Sequence, residues 1–170
     1  MIGLNVGSGQ RRFTSTPEIE WINIDKVYRP GHEPDLVCDG AHLPYDDNSV
    51  DYVVLHHVLE HFGCGEAVSL IAEAYRVLNM NGALQVFVPD VRALSTSWLG
   101  GKLETQIFMT NLYGAYMGDE ADRHRWGFDM QSLDRFLWQW TWKTAHYACP
   151  VIQGADVARD WWILEMECIK

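Results

Sequence analysis

The chain has 170 residues, 48% of them hydrophobic and 12% aromatic, enough for one domain built on a single sheet and its covering helices and too few for two. With 13 Lys+Arg against 23 Asp+Glu, the formal charge of −10 argues against a broad electrostatic footprint for nucleic acid or an anionic membrane. There is no basic-then-apolar signal segment and no apolar run of bilayer length, and Cys38, Cys64, Cys149 and Cys168 form no CxxC pair, so a soluble cytoplasmic protein with buried free thiols is expected.

The first strand is expected at Ile2-Gly3-Leu4-Asn5-Val6, running directly into Gly7-Ser8-Gly9. That is the pattern of a buried strand stopping at a turn where a ligand must approach the backbone closely. Gln10 to Glu20 has no helical apolar period and is about as short as a parallel crossover can be, so a loop should replace the usual helix and leave the crevice more open there. Trp21 to Asp25 reads as a second strand ending on a carboxylate. In an open α/β sheet these two strand ends can lie side by side, so the glycines and Asp25 would face one crevice, where a carboxylate suits the two hydroxyls of a ribose. Pro30 to Pro34 is a loop, and Asp35 to Asp39 a third short strand, again ending on a carboxylate. Gly40 to Tyr45 then carries the chain across the sheet edge to a polar turn at Asp46-Asp47-Asn48.

Ser49 to His57 is a near-continuous apolar run suited to a central parallel strand buried on both faces. From Glu66, the residues Ala67, Leu70, Ile71, Ala74, Tyr75 and Leu78 recur at helical spacing, with Asn81-Gly82 as a left-handed stop. Ala83 to Val88 is a fifth strand closed by Pro89-Asp90, and the alternation so far is that of a doubly wound sheet. Short helices are expected at Val91 to Trp98 and Glu104 to Tyr113, followed by a long polar loop with aromatic punctuation through Trp126. Residues 91–129 therefore read as a lid or substrate wall on the single domain 1–170. Asp129 can cap a helix whose inner stripe is Leu133, Phe136, Leu137 and Trp140, with Trp138 and Trp142 off the stripe. Tyr147 to Gln153 and Trp161 to Ile169 suit two closing strands, the second burying Trp162, Leu164, Met166 and Cys168.

Five stretches in order, Leu4-Asn5-Val6-Gly7-Ser8-Gly9, Ile22-Asn23-Ile24-Asp25, Cys38-Asp39-Gly40-Ala41-His42-Leu43-Pro44-Tyr45, the segment Asp51 to His61, and Val77 to Leu84, resemble class I S-adenosylmethionine (SAM) dependent methyltransferases of a small bacterial type with a minimal core. The resemblance covers Ile2 to about Asp90, and more loosely Tyr113 to Asp129. It implies a mostly parallel, Rossmann-like α/β sheet with an antiparallel C-terminal strand, SAM as cofactor, and a site made of Val6, Gly7, Ser8, Gly9, Asp25, Asp39, Gly40, Ala41 and His56. In the family the glycine turn passes under the donor's amino-acid end. The residue matching Asp25 accepts from the ribose and the one matching Asp39 from the adenine amino group, while those matching His56 and His57 border the sulfonium and the incoming nucleophile. Met80-Asn81-Gly82 stands where the family has a proline and two glycines, and Asn tolerates the left-handed backbone the turn requires.

Asp90 and His124 are the candidates for a general base, with His57 bordering the nucleophile. Each has a plain structural alternative, a helix cap for Asp90 and a solvated loop position for His124. His57 and His61 are spaced i, i+4 around Glu60, but the order differs from HExxH and no third ligand is placed, so no metal is expected. A nicotinamide enzyme would want a third glycine where Arg12 stands, and the Asn/Asp-Pro-Pro-Tyr/Phe string of amino-methylating nucleic-acid enzymes is absent after the fourth strand. The expected reaction is methyl transfer to a small-molecule or glycan acceptor at oxygen, with no nucleic-acid or membrane partner. A catalytically silent SAM-binding or scaffolding module is the alternative. The site would be closed by the 113–128 loop or by a second subunit in a homodimer.

Overall fold

The computed structural model describes residues 1–115, 119–147 and 163–170, with the backbone alone at 144–147. Strands β1 (Ile2–Val6), β2 (Glu20–Asp25), β3 (Leu36–Val37), β4 (Val50–His56) and β5 (Leu78–Pro89) pair in parallel. Strand β7 (Ile163–Ile169) runs antiparallel to β5, and β6 (Thr144–Tyr147) antiparallel to β7. Across the sheet the order is β3-β2-β1-β4-β5-β7-β6. Chain progression therefore reverses between β1 and β4, and the carboxyl ends there open a crevice.

One face of the sheet carries the core. Leu4, Val6, Ile24, Val53, Leu55, Leu84, Val86, Met166 and Cys168 pack against α1 (Cys64–Val77) and α4 (Met130–Leu137). Helix α1 buries Ala67, Leu70, Ile71 and Ala74, the i, i+3, i+4, i+7 stripe read in the sequence. Each fully buried Leu or Ile on these surfaces contributes about 2 kcal/mol by apolar burial. The helix gives way to extended backbone at Leu78, and Asn81, at φ 76°, lies within β5 rather than at the helix end. A left-handed residue is present as predicted, but it belongs to the irregular start of the β4–β5 pairing, where the register shifts between Val50 and Tyr52.

On the opposite face no helix forms between β1 and β2, and two buried asparagines hold the crossover loop in its place. Asn5 Nδ2 donates to Arg11 O (2.7 Å) and to Asn23 Oδ1 (2.9 Å). Asn23 accepts from Phe13 N–H (2.7 Å) and donates to Phe13 O (3.0 Å). Side chains thus satisfy the loop backbone that a helix would have satisfied internally.

Helices α2 (Val91–Leu99) and α3 (Thr105–Tyr113) share a small separate core of Leu94, Leu103 and Phe108. Asp129 caps α4, Leu133 and Leu137 are buried, and Trp138 is exposed, as the stripe predicts. Leu164, Met166 and Cys168 are the buried face of β7, and burial pushes the Cys168 thiol up to about 12. Cys38 is half-buried, and Cys64 is exposed, against the expectation of buried thiols, because it opens α1 at the surface. The predicted strand residues 148–153, Trp161 and Trp162, together with Cys149, lie outside the described residues. Among the described residues no helix is long and apolar enough to cross a membrane.

Candidate active site

A cavity of about 450 Å³ lies at the carboxyl ends of β1, β2 and β4. Val6, Gly7 and Gly9 form one side, and Asp25, Lys26, Val27, Cys38, Asp39 and Gly40 a second. His57, Val58, His61 and Phe62 follow β4, and Ala121, Asp122 and Arg125 close over from the loop after α3.

Gly7 has φ 70°, and a Cβ there would meet Val58 Cγ2 at 2.5 Å. A Cβ at Gly40 would stand 2.7 Å from Val6 Cγ1 and 2.9 Å from Leu70 Cδ1. Both positions bring backbone to the cavity surface where a side chain could not pass. Asp25 Oδ2 accepts from Gly9 N–H and Oδ1 from Val27 N–H, each at 2.8 Å, so the carboxylate locks the glycine turn to the end of β2. Asp39 Oδ1 accepts from Ala41 N–H (3.0 Å) and Oδ2 from Lys26 Nζ (2.8 Å), and the Lys26 ammonium holds the Asp39 carboxyl below its ordinary value. Every one of these oxygens keeps a second lone pair for a ligand hydroxyl or amino group.

Not every expected cofactor residue reaches the cavity. Ser8 is buried beneath the turn, its N–H on Ile24 O (2.9 Å), and Ala41 serves Asp39 through its backbone. His56 stacks on Phe87 (centroids 4.8 Å apart) with Arg11 hydrogen-bonded to its ring, and burial, then His57 and Arg11, lower it to about 3. Strand alternation aims His56 at the face opposite Leu55, so of the two histidines expected at the site His57 lines the cavity and His56 does not. His57 has φ 56°, a left-handed backbone costing a non-glycine residue on the order of 1 kcal/mol. That turn redirects the chain after β4 and brings His57 to the cavity.

Among the three candidates for proton chemistry, Asp90 caps α2, accepting from Arg92 N–H (2.9 Å) and Ala93 N–H (3.0 Å), and is absent from the cavity wall. His124 stands behind His61, ring edge to ring face at 4.7 Å, with Nδ1 on Asn111 O (2.9 Å). His57 lines the cavity, and its Nδ1 donates to Glu60 Oε1 at 2.9 Å. Glu60 is 1% exposed, and its Oε2, like His61 Nδ1, is buried without a hydrogen-bond partner among the described residues.

Lys26, Val27, Arg29, Phe62 and Glu66 also line the cavity without having been expected there, and Arg125 lines it from within the expected 91–129 wall. Lys26 and Val27 were signalled by following directly on Asp25. Arg29 bonds Asp122 at 2.8 Å, tying the β2–β3 loop to the turn Glu120–Asp122, a contact no local pattern announces.

Residues 4–86 match the family model described as a methyltransferase domain. No curated protein matches the sequence. A Pyrococcus horikoshii protein of known structure superposes with a TM-score of 0.63 at 14% identity, over 99% of this chain and 81% of its own. A SAM-dependent methyltransferase from Archaeoglobus fulgidus gives 0.62 at 12% identity, over 99% and 86%. The 1,6-didemethyltoxoflavin-N1-methyltransferase of Burkholderia thailandensis, solved with 1,6-didemethyltoxoflavin and S-adenosylhomocysteine, gives 0.60 at 15%, over 99% and 70%. At such identities the likeness establishes the fold.

Proposed function

We propose that this chain, whose residues 4–86 match a methyltransferase domain, is a class I SAM-dependent methyltransferase that transfers the donor's methyl group to an oxygen of a small-molecule or glycan acceptor. The observation that carries this reading is that Asp25, Asp39, Gly7, Gly9 and His57 line one cavity.

The residues present fit the donor. A cavity of this volume is within the usual range for small ligands, and it combines two carboxylates with the apolar Val6, Val27, Cys38, Val58 and Phe62. Asp25 offers its free lone pairs to a ribose diol, and Asp39 to an adenine amino group once Lys26 swings aside. Lys26 is 67% exposed, so releasing it costs at most about 1 kcal/mol. Gly7 lets the amino-acid end lie against bare backbone. When bound, the donor supplies a sulfonium-activated methyl for in-line displacement. The protein's part is to align the acceptor and to keep water from the cation.

His57 is the side chain we assign to the acceptor. Donation from Nδ1 to Glu60 fixes the ring and leaves Nε2 to accept a hydrogen bond from the attacking hydroxyl. Asp90 is spent on its cap. Residues 119–128 of the proposed lid region form the wall over the acceptor, held by the Arg29–Asp122 pair. The three described cysteines are free, which suits the reducing cytoplasm.

The test is S-adenosylhomocysteine release from SAM on a panel of hydroxyl and amine acceptors, with His57→Ala alongside. Turnover on hydroxyl acceptors, lowered about 100-fold in kcat by His57→Ala with SAM affinity retained, is expected. Turnover on amines alone would move the reaction to nitrogen, as in the name of the Burkholderia enzyme. SAM binding with no release on any acceptor would favour a silent module.

A further inference from the structure

We propose that Glu60, His61 and His124 form a binding site for a divalent cation of the zinc type in the wall of the cavity. One candidate ligand atom from each of the three lies within 4.8 Å of the other two. Glu60 and His61 come from the 3-10 turn after β4, and His124 from the loop beyond α3. Backbone bonds fix their meeting: Glu60 O accepts from Arg125 N–H (2.8 Å) and Trp126 N–H (3.0 Å), and His124 N–H donates to Tyr113 O (3.1 Å).

Two orphaned atoms point to a ligand. Glu60 Oε2 and His61 Nδ1 are buried with no hydrogen-bond partner among the described residues, and Glu60 as a whole is 1% exposed. A carboxylate oxygen in that position calls for a positive charge or a donor. The neighbours supply ligands rather than donors. His124 Nδ1 faces the Asn111 carbonyl, which can only accept, so Nδ1 carries the proton and Nε2 keeps a free lone pair. The other Glu60 oxygen receives His57 Nδ1 at 2.9 Å. A ligating histidine backed by a carbonyl and a ligating carboxylate backed by a hydrogen-bond donor is the outer-shell arrangement of protein metal sites.

Two imidazoles and one carboxylate make a three-ligand zinc set with a fourth position open. With bonds of about 2.1 Å, tetrahedral ligand atoms sit about 3.4 Å apart, so the three side chains close in by no more than a rotamer adjustment. Of the three, His61 lines the cavity, so the site stands directly behind the cavity wall. The sequence placed no third ligand beside His57 and His61, and in the fold His124 rather than His57 joins Glu60 and His61. A role on the acceptor rests on the methyl-transfer reading; cation binding does not.

Chelator-treated protein titrated calorimetrically with zinc chloride, with cobalt(II) as a coloured substitute, tests the site. One equivalent per chain is expected, weakened at least 100-fold by His124→Ala and by Glu60→Gln. Visible cobalt bands should appear in the wild type and be absent from His124→Ala. If Glu60→Gln does not fold, His61→Ala and His124→Ala decide the matter, with circular dichroism confirming their fold. Absence of stoichiometric binding, or wild-type binding retained in both His61→Ala and His124→Ala, overturns the proposal.

Discussion

On the wall built by β1, β2 and β3, Asp25 and Asp39 each hold a backbone N–H of their own turn, whereas on the wall after β4 the buried Glu60 Oε2 and His61 Nδ1 have no partner among the described residues. On the first wall all four oxygens of the two carboxylates are partnered without a ligand, although Ser8 Oγ beneath the glycine turn has no partner among the described residues. The second is assembled from residues far apart in the chain, and two of its buried polar atoms have no partner among the described residues. A cavity so divided has one side ready for a ligand of fixed shape and another whose polar groups are settled only when something binds.

Removing a member of the first wall should have the largest effect. Asp25→Ala deletes the expected ribose acceptor and the lock on Gly9 together, and SAM affinity measured by calorimetry should fall at least about 100-fold, roughly 3 kcal/mol. Retained affinity would break the contrast at its better-defined end.

Glu165 sharpens the contrast from outside the cavity. It is buried on β7 with neither carboxylate oxygen partnered among the described residues, and burial, reinforced by Glu167, raises it to about 7. Since the folded pKa lies above that of the unfolded chain, the native state keeps a proton that the unfolded state gives up as pH rises. Stability should therefore fall between about pH 4.5 and pH 7. Glu165→Gln should remove that slope and stabilise the protein at pH 7 by about 1–3 kcal/mol in urea unfolding. A slope unchanged in the variant would assign it to another group. Among the described residues Glu165 belongs to no cluster of ligating side chains, which is what sets Glu60 apart.

The smallest effect belongs to Lys26. Lys26→Ala frees Asp39 of an exposed ion pair and should tighten SAM binding by less than about fivefold. A large loss of affinity would mean that Lys26 holds the ligand rather than the carboxylate.

The same division decides how much could be read from the sequence. Gly7, Asp25 and Asp39 were legible because each ends a strand whose apolar run is visible, and parallel pairing brings those ends together. His57 was legible beside His56, but that only His57 lines the cavity turns on one left-handed backbone that a non-glycine residue does not advertise. Asp90 was open to two readings, and its place just ahead of α2 made the cap the one realised. The approach of His124 to His61 depends on the path of a loop with no periodicity and on the carbonyl of Glu60, which carries no side-chain signature. The loop replacing the first crossover helix was expected, yet its anchoring by Asn5 and Asn23 emerged only from their pairing across β1 and β2.

A crystal structure of the chain with S-adenosylhomocysteine tests the central claim most directly. The account predicts ribose hydroxyls within hydrogen-bond distance of Asp25, the adenine amino group on Asp39 with the Lys26 ammonium displaced, and the amino-acid end over Gly7. A nucleoside bound elsewhere, or held in this cavity without either carboxylate, would contradict it.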